Sequence, residues 1–145
     1  MLPTNLAAIK KLSLFADLDA VRDSALIDKI QIKSFPAGEF IFHEGEAGDQ
    51  LFVIKSGEVE IVRIADGMAE EVAFLEPGDV FGELGALGQK TRNASARAFS
   101  NSEVLILDRP TATQLAADVP SFDLLVGKRF IEREKARAEI DYQKA

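Results

Sequence analysis

The sequence predicts a mainly β fold with flanking α-helices: an eight-stranded antiparallel jelly-roll barrel with short N-terminal helices and two C-terminal helices. Between residues 31 and 109, short apolar runs alternate with turns rich in glycine and proline, which is typical of antiparallel strands. Outside this stretch, apolar residues recur at helical spacing. A length of 145 residues suits one packed core. We therefore expect a single domain over 1–145, with helices in 1–30, the barrel in 31–109 and helices in 110–145.

Two short helices are predicted before the barrel. In the segment 5–12, Asn5 is a residue type that commonly caps a helix, and apolar residues follow it at helical spacing. The segment 17–30 repeats this spacing. Its apolar positions are Leu18, Val21, Leu26 and Ile30.

The middle of the chain is predicted to form consecutive hairpins. The apolar segments 51–54 and 59–64 flank a Ser-Gly turn, and an Asp-Gly pair follows the second of them. The segments 94–99 and 104–107 supply two further strands. Because many short strands without intervening helices close most readily into a barrel, which leaves few bare edges, the pattern favours a jelly roll.

The last part of the chain is predicted to be helical again. After Arg109 and Pro110 a short helix extends through Leu115, and Pro120 separates it from a longer helix over 121–145. This longer segment is apolar at first and mostly charged later. Such a helix is either an exposed tail or a mobile element that packs only in some states.

Composition excludes several classes of protein. A content of 47% hydrophobic and 28% charged residues excludes disorder, and no apolar run approaches the length of a membrane span. Without cysteine and with one histidine, disulfides, thiolate metal sites and multi-histidine clusters within one copy are excluded. The N-terminus shows no secretory signal, so we expect a cytoplasmic protein. A net charge of -7 argues against nucleic-acid binding, although a small anion can still be held locally.

The segment 81–95 is the candidate site. It places Gly82, Glu83 and Arg92 between two predicted strands. Backbone amides beside a glycine can surround phosphate oxygens, and an arginine offers forked donors to the same oxygens. The alternative is a surface loop in which Glu83 and Arg92 form a weak salt bridge, and both interpretations fit the spacing.

The same segment resembles a known family. The run Phe81-Gly82-Glu83-Leu84, followed by Arg92 and then Ala94 and Ser95, resembles the phosphate-binding cassette of cyclic nucleotide-binding domains, as in protein kinase A regulatory subunits, cyclic-nucleotide-gated channels and catabolite activator protein. The resemblance covers nearly the whole chain. Further matches are 36–39, 44–49, 51–54, 56–59, 77–79 and 105–109.

The resemblance implies a role for each residue of the cassette. The amides of Gly82, Leu84 and Ala94 would bind the cyclic phosphate, and Arg92 would neutralise its charge. Glu83 would accept a hydrogen bond from the ribose 2′-hydroxyl, which favours ribonucleotides.

Two residues near the cassette would support the ligand. Asp49 matches the position that holds the family's arginine by an ion pair, although it also fits an ordinary Gly-Asp turn. Phe81, the first residue of the cassette, is the other supporting residue.

The base contacts are less defined. Asn93 stands where the family commonly has Ala, Ser or Thr, and a Thr there is associated with cGMP preference, so the choice of base stays open. The family's purine contacts come from the barrel and the last helix. Ile61 is a candidate in the barrel, with plain core packing as the alternative. Phe130 and Arg133 are candidates for a lid, and the alternative for Arg133 is a solvated charge.

The function implied is that of a non-enzymatic sensor that binds a cyclic purine nucleotide, with cAMP favoured over cGMP, and signals to a separate protein effector through its C-terminal helix. We expect no cofactor, no metal, no nucleic acid and no membrane partner; the chain leaves no room for a helix-turn-helix after the long helix. The first alternative is a degenerate domain that binds no nucleotide and acts as a protein-interaction module. A metal-dependent enzyme on a similar barrel is weaker still, because His43, placed on a strand beside Glu44, is the single histidine.

Overall fold

The computed structural model describes residues 12, 15–19, 21–82, 92 and 94–122. The strands are β1 (Gln31–Phe35), β2 (Phe40–Phe42), β3 (Leu51–Ser56), β4 (Val59–Ala65), β5 (Met68–Leu75), β6 (Val80–Phe81), β7 (Ser95–Ala98) and β8 (Ser102–Leu107). The helices are α1 (Ser24–Ile27), before the strands, and α2 (Arg109–Asp118), after them. Residues 120–122 are helical as well.

The eight strands form two four-stranded antiparallel sheets. One sheet has the order β1-β8-β3-β6 and the other β2-β7-β4-β5. The chain therefore crosses between the sheets repeatedly, and β1 pairs with β8, with Gln31 opposite Ile106. This confirms the predicted mainly β jelly roll. The β4–β5 hairpin turns at Asp66 and Gly67, both with positive φ, as a two-residue turn of this kind requires.

Alternation along β3 explains how one sheet is buried on both faces. Leu51 and Val53 pack in a cluster with the helices, whereas Phe52 and Ile54 pack inside the barrel. Successive side chains of a strand point to opposite faces, so a strand covered on both sides is apolar throughout. In β8, likewise, Leu105 and Leu107 pack with the helices, whereas Val104 and Ile106 pack inside the barrel. The first sheet thus lies between the barrel interior and a layer of helical segments.

The segment before the barrel differs from its prediction. The helical spacing predicted a helix over 17–30, but α1 comprises only Ser24–Ile27. Asp19 accepts hydrogen bonds from the backbone N–H of Val21 and Arg22, at 2.9 and 2.7 Å. Side-chain acceptors of this kind compete with the helical hydrogen bonds, so the chain turns before it becomes helical. Of the helix predicted over 5–12, all but Leu12 lies outside the described residues.

The region after the barrel agrees with its prediction as far as the structure describes it. The predicted helix through Leu115 is α2, and it ends at Val119, whose backbone is extended, before Pro120. The side chain of Asp108 caps α2 by accepting from the backbone N–H of Thr111 at 2.8 Å. Most of the longer helix predicted over 121–145 lies outside the described residues.

The two ends of the described chain are joined beside the first sheet. The backbone N–H of Ser121 donates to Asp17 Oδ2 at 3.0 Å, and the backbone N–H of Asp17 donates to Ser121 Oγ at 3.3 Å. Phe15 packs on Phe122 with 5.7 Å between ring centroids. The start of the C-terminal region is therefore fixed to the N-terminal segment.

Asp23 offers a test of how far the N-terminal turn stabilises the fold. Its side chain is 2% exposed and accepts from Asp19 N at 2.9 Å and from Arg22 Nη2 at 2.8 Å. Asp23→Ala is expected to lower the free energy of unfolding by about 1–3 kcal/mol, the usual effect of losing hydrogen bonds to a charged group. Urea denaturation at pH 7 measures this, with the exposed Asp28→Ala as control.

The loss of stability caused by Asp23→Ala should depend on pH. The Arg22 guanidinium beside Asp23 lowers the pKa of that carboxyl below its ordinary value, while burial opposes this shift. A carboxyl whose pKa is lower in the folded than in the unfolded state stabilises the fold above about pH 4. This contribution is lost as the pH falls through the folded-state pKa. The difference in the free energy of unfolding between the wild type and Asp23→Ala should therefore be constant above about pH 5 and shrink as the pH is lowered further. A difference that grows in acid would contradict this assignment.

Candidate functional site

Arg92 is the centre of the candidate site and is buried, with 7% of its surface exposed. Its backbone is held by the turn that follows β2: Arg92 N donates to the carbonyl of Glu46, and Gly45 N donates to the carbonyl of Arg92, both at 2.8 Å. Its guanidinium donates to the carbonyls of Gly82 at 3.1 Å and of Gln50 at 3.0 Å. The backbone and the charged end of this side chain are thus both fixed by the chain.

Aromatic rings lie under the guanidinium. Arg92 Cζ is 4.4 Å from the ring centroid of Phe42 and 5.5 Å from that of Phe52. Phe52 in turn stacks on Phe81, with 5.0 Å between centroids and 13° between planes. The negative face of an aromatic ring attracts a cation, and more strongly where water is excluded. The rings therefore offset part of the cost of burying the charge.

Two glycines leave the space that Arg92 occupies. At Gly82, φ is +77°, and an added Cβ would lie 2.9 Å from the Gln50 carbonyl oxygen and 3.0 Å from Arg92 Nη1. At Gly48 an added Cβ would lie 3.0 Å from Arg92 Nε and Nη2. Both contacts are too close for a side chain to fit without displacing its neighbours. The cassette glycine is therefore needed for its conformation and for the approach of the arginine.

Three further candidates among the described residues are buried or half-buried. Ala94 is buried and lies between Arg92 and β7. Ile61 is half-buried, pairs with Ala96 and packs against the barrel interior. Phe81 is fully buried beneath the site rather than at its surface.

Asp49 is exposed, and the structure does not bring it into an ion pair with Arg92 among the described contacts. The backbone carbonyl of the next residue, Gln50, accepts from the guanidinium instead. The supporting role of Asp49 stays a prediction. The remaining candidates, Glu83, Leu84, Asn93, Phe130 and Arg133, lie outside the described residues.

Three contributors to the site were missed by the sequence analysis: the rings of Phe42 and Phe52, and the carbonyl of Gln50. Nothing in their spacing distinguishes them from other strand residues, because an apolar side chain in a strand predicts burial and not the group above its ring. Gly48 did carry a signal, since it falls in a glycine-rich turn that matches the family.

His43 lies in a turn after β2 and not on a strand as predicted, because β2 ends at Phe42. Its Nδ1 is 2.7 Å from Glu46 Oε1, and its ring stacks on Phe40. Among the residues that the structure describes, no group of three or more His, Cys, Asp or Glu could hold a metal ion. Within the same ranges, no helix combines the length and the apolar character needed to cross a membrane.

Comparison with known proteins assigns the family. The model of the cyclic nucleotide-binding domain matches residues 32–118. The chain is 38% identical over 114 residues to the cGMP-dependent protein kinase egl-4 of Caenorhabditis briggsae, covering 77% of this chain and 15% of that protein. It is 33% identical over 113 residues to a CRP-like cAMP-activated global transcriptional regulator of Mycobacterium tuberculosis, covering 77% of this chain and 50% of that protein. The chain thus spans half or less of the length of these relatives.

A solved structure supports the same assignment. The crystal structure of the catabolite activator protein of Thermus thermophilus is similar with a TM-score of 0.74 at 29% identity, over 91% of this chain and 63% of that chain. The jelly roll, the buried arginine beside its glycine and the family match all agree. The chain belongs to the cyclic nucleotide-binding domain family.

Proposed function

We propose that this chain is a non-enzymatic sensor that binds one cyclic purine nucleotide at the cassette 81–95, with cAMP favoured over cGMP. The observation that carries the proposal is the fixed position of Arg92, a buried cation that donates to two backbone carbonyls and lies over the faces of aromatic rings. Such a group is suited to bind a small anion, because the side chain is already ordered and loses little conformational entropy on binding. Domains of this family are regulatory, and the relatives named above are described as cGMP-dependent and cAMP-activated.

The geometry around Arg92 supports the proposed phosphate contacts. A guanidinium has five N–H donors in a fixed fork, so a group oriented by two carbonyls can also donate to a phosphate. The positive φ of Gly82 turns the backbone at the start of the cassette, and the absence of a Cβ lets the Arg92 guanidinium approach this turn closely. In this proposal, the amides of Gly82, Leu84 and Ala94 bind the remaining phosphate oxygens.

The ribose and the base are assigned to residues on either side of the phosphate. Glu83 accepts from the 2′-hydroxyl, and Ile61, half-buried at the barrel interior, contacts the purine. Asn93 stands where a Thr is associated with cGMP preference in the family, and the lack of that Thr is consistent with the proposed preference for cAMP. Asp49 is assigned the supporting role that the resemblance implies, an ion pair that orients Arg92.

The output is assigned to the C-terminal region. The contacts between Asp17 and Ser121 and between Phe15 and Phe122 fix the start of this region to the N-terminal segment. In the proposal, the segment beyond it presents Phe130 and Arg133 to the purine as a lid. An effector protein that binds only one arrangement of the lid then reads the presence of nucleotide.

The test is calorimetric titration of cAMP and cGMP into protein that has been unfolded and refolded to remove carried-over ligand. We expect saturable binding at one site, tighter for cAMP. 5′-AMP, which lacks the cyclic phosphate, is the control ligand. Folded protein that takes up neither cyclic nucleotide would contradict the proposal and favour a protein-interaction module.

The role of Glu83 is tested by comparing nucleotides with and without the ribose 2′-hydroxyl. Glu83→Ala is expected to weaken cAMP binding by a factor of about 10–100, the loss of one hydrogen bond to a carboxylate. It should also remove the preference for cAMP over 2′-deoxy-cAMP, since the hydroxyl then has no acceptor. Both nucleotides are titrated into both proteins, with the exposed Glu76→Ala as control. An unchanged ribose preference would refute this role.

A further inference from the structure

We propose that Phe42 is a positioning residue, whose ring holds the Arg92 guanidinium in the orientation that a cyclic phosphate requires. The inference deepens the proposed function and rests on it, because the orientation matters for binding only if Arg92 receives the phosphate. It concerns a residue of β2, far along the chain from the cassette, that no motif distinguishes.

The geometry is that of a cation held over a ring face. Arg92 Cζ is 4.4 Å from the Phe42 centroid, well inside the distance of about 6 Å at which such contacts are favourable. The second ring, that of Phe52, is more distant at 5.5 Å. With Arg92 7% exposed, little water competes for the guanidinium. Phe42 therefore provides the nearest ring contact to the charge.

The Phe42 ring is itself held in place. Its centroid is 5.5 Å from that of Phe52 and 6.0 Å from that of Phe81, and both contacts are tilted. Phe52 and Phe81 stack on each other in the barrel core. A ring that packs on two buried rings has little freedom to turn, so it gives the cation a fixed surface.

The chain next to Phe42 holds the backbone of the same arginine. The turn at 43–46 begins directly after Phe42, and its Gly45 and Glu46 exchange backbone hydrogen bonds with Arg92. This turn is also bonded to β7, because Glu44 N donates to Ser95 Oγ at 2.8 Å. One short segment, 42–46, thus fixes Arg92 at both its backbone and its charged end.

Loss of the ring is expected to lower affinity through orientation. Arginine has several rotamers of similar energy, so removing a favourable contact raises the population of rotamers that cannot bind. The apparent dissociation constant rises by the inverse of the competent fraction. We expect Phe42→Leu to weaken cAMP binding about 3- to 10-fold, with the change in the association rate and not in the dissociation rate.

The decisive experiment varies the charge distribution of the ring at constant shape. Phenylalanine with one, two or three ring fluorines is placed at position 42, and cAMP affinity is measured by calorimetry. If the ring acts on the cation, affinity falls stepwise with each fluorine, since fluorine withdraws electron density from the ring face. The control is the same series at Phe35, whose ring faces Lys33 at 5.0 Å. Equal affinity across the Phe42 series would overturn the proposal.

A second measurement separates this proposal from the proposed function. The mobility of the Arg92 Nε–H group is measured by ¹⁵N relaxation in nucleotide-free protein. We expect a rigid group in the wild type and a mobile one in Phe42→Leu. If cAMP does not bind the wild type, the proposed function fails, while the relaxation data still decide whether Phe42 orients Arg92. A group equally rigid in both proteins overturns the inference.

Discussion

Replacing Arg92 by alanine is expected to weaken cAMP binding roughly 100-fold or more. The substitution removes the positive charge and the forked donors, and each hydrogen bond between charged groups contributes about 1.5–3 kcal/mol. Two such bonds correspond to a factor of roughly 100 or above. Calorimetric titration measures the loss. Arg92→Lys should recover only part of the affinity, because an ammonium cannot donate to two carbonyls and a phosphate in one plane.

Arg97 is the matched control for this prediction. Like Arg92 it lies over a phenylalanine ring, with its Cζ 5.4 Å from the centroid of Phe40, and its Nε is 2.5 Å from Glu60 Oε1. It differs in lying on β7 with a side chain 34% exposed. Arg97→Ala should leave cAMP affinity unchanged. Equal losses in both variants would show that the effect of Arg92 is a general loss of positive charge and not a specific contact.

Replacing Gly82 by alanine is expected to have the second largest effect. The new Cβ would meet the Gln50 carbonyl, the Phe52 ring and Arg92 Nη1 at 2.9–3.0 Å, and the positive φ adds strain of about 1–2 kcal/mol. Since the Gln50 carbonyl and the Phe52 ring, which both contact Arg92, would be displaced, we expect at least a tenfold loss of cAMP affinity together with a lower midpoint of urea denaturation.

The substitution Gly67→Ala separates the strain of a positive φ from the close contacts of the new Cβ. Gly67 has the same φ of +77°, but an added Cβ there meets nothing within 4 Å. Gly67→Ala therefore measures the conformational cost alone and should leave cAMP affinity intact. If Gly82→Ala binds cAMP as well as Gly67→Ala does, close packing against Arg92 is irrelevant to the site.

The barrel could be predicted from the sequence because its signals are local. Glycine and proline turns delimit the strands, and the alternation in β3 follows from the pleat. The helix expected over 17–30 failed because Asp19 and Asp23 accept backbone hydrogen bonds that a helix would use, a competition that apolar spacing does not register.

For the candidate site, the sequence is informative only where the chemistry resides in a residue type. Arg92 and Gly82 stand out because a phosphate needs a cation and a closely approaching backbone. The Gln50 carbonyl could not be predicted, since every residue carries one and only the tertiary fold selects which faces the guanidinium. The contact of the Phe42 ring with Arg92 could not be predicted for the same reason. The single sequence therefore identifies the groups that would bind the ligand better than the groups that orient them.

The pairing of β1 with β8 has a consequence for folding kinetics. The hairpin of β4 and β5 joins near neighbours and can form within microseconds, whereas the first sheet closes only when Gln31 meets Ile106. Such distant pairing places folding in the range of milliseconds to seconds. Arg92 also depends on a distant partner, since Gln50 lies 42 residues away along the chain. We therefore expect the site to be assembled late in folding, so that a nucleotide bound there would stabilise the completed barrel.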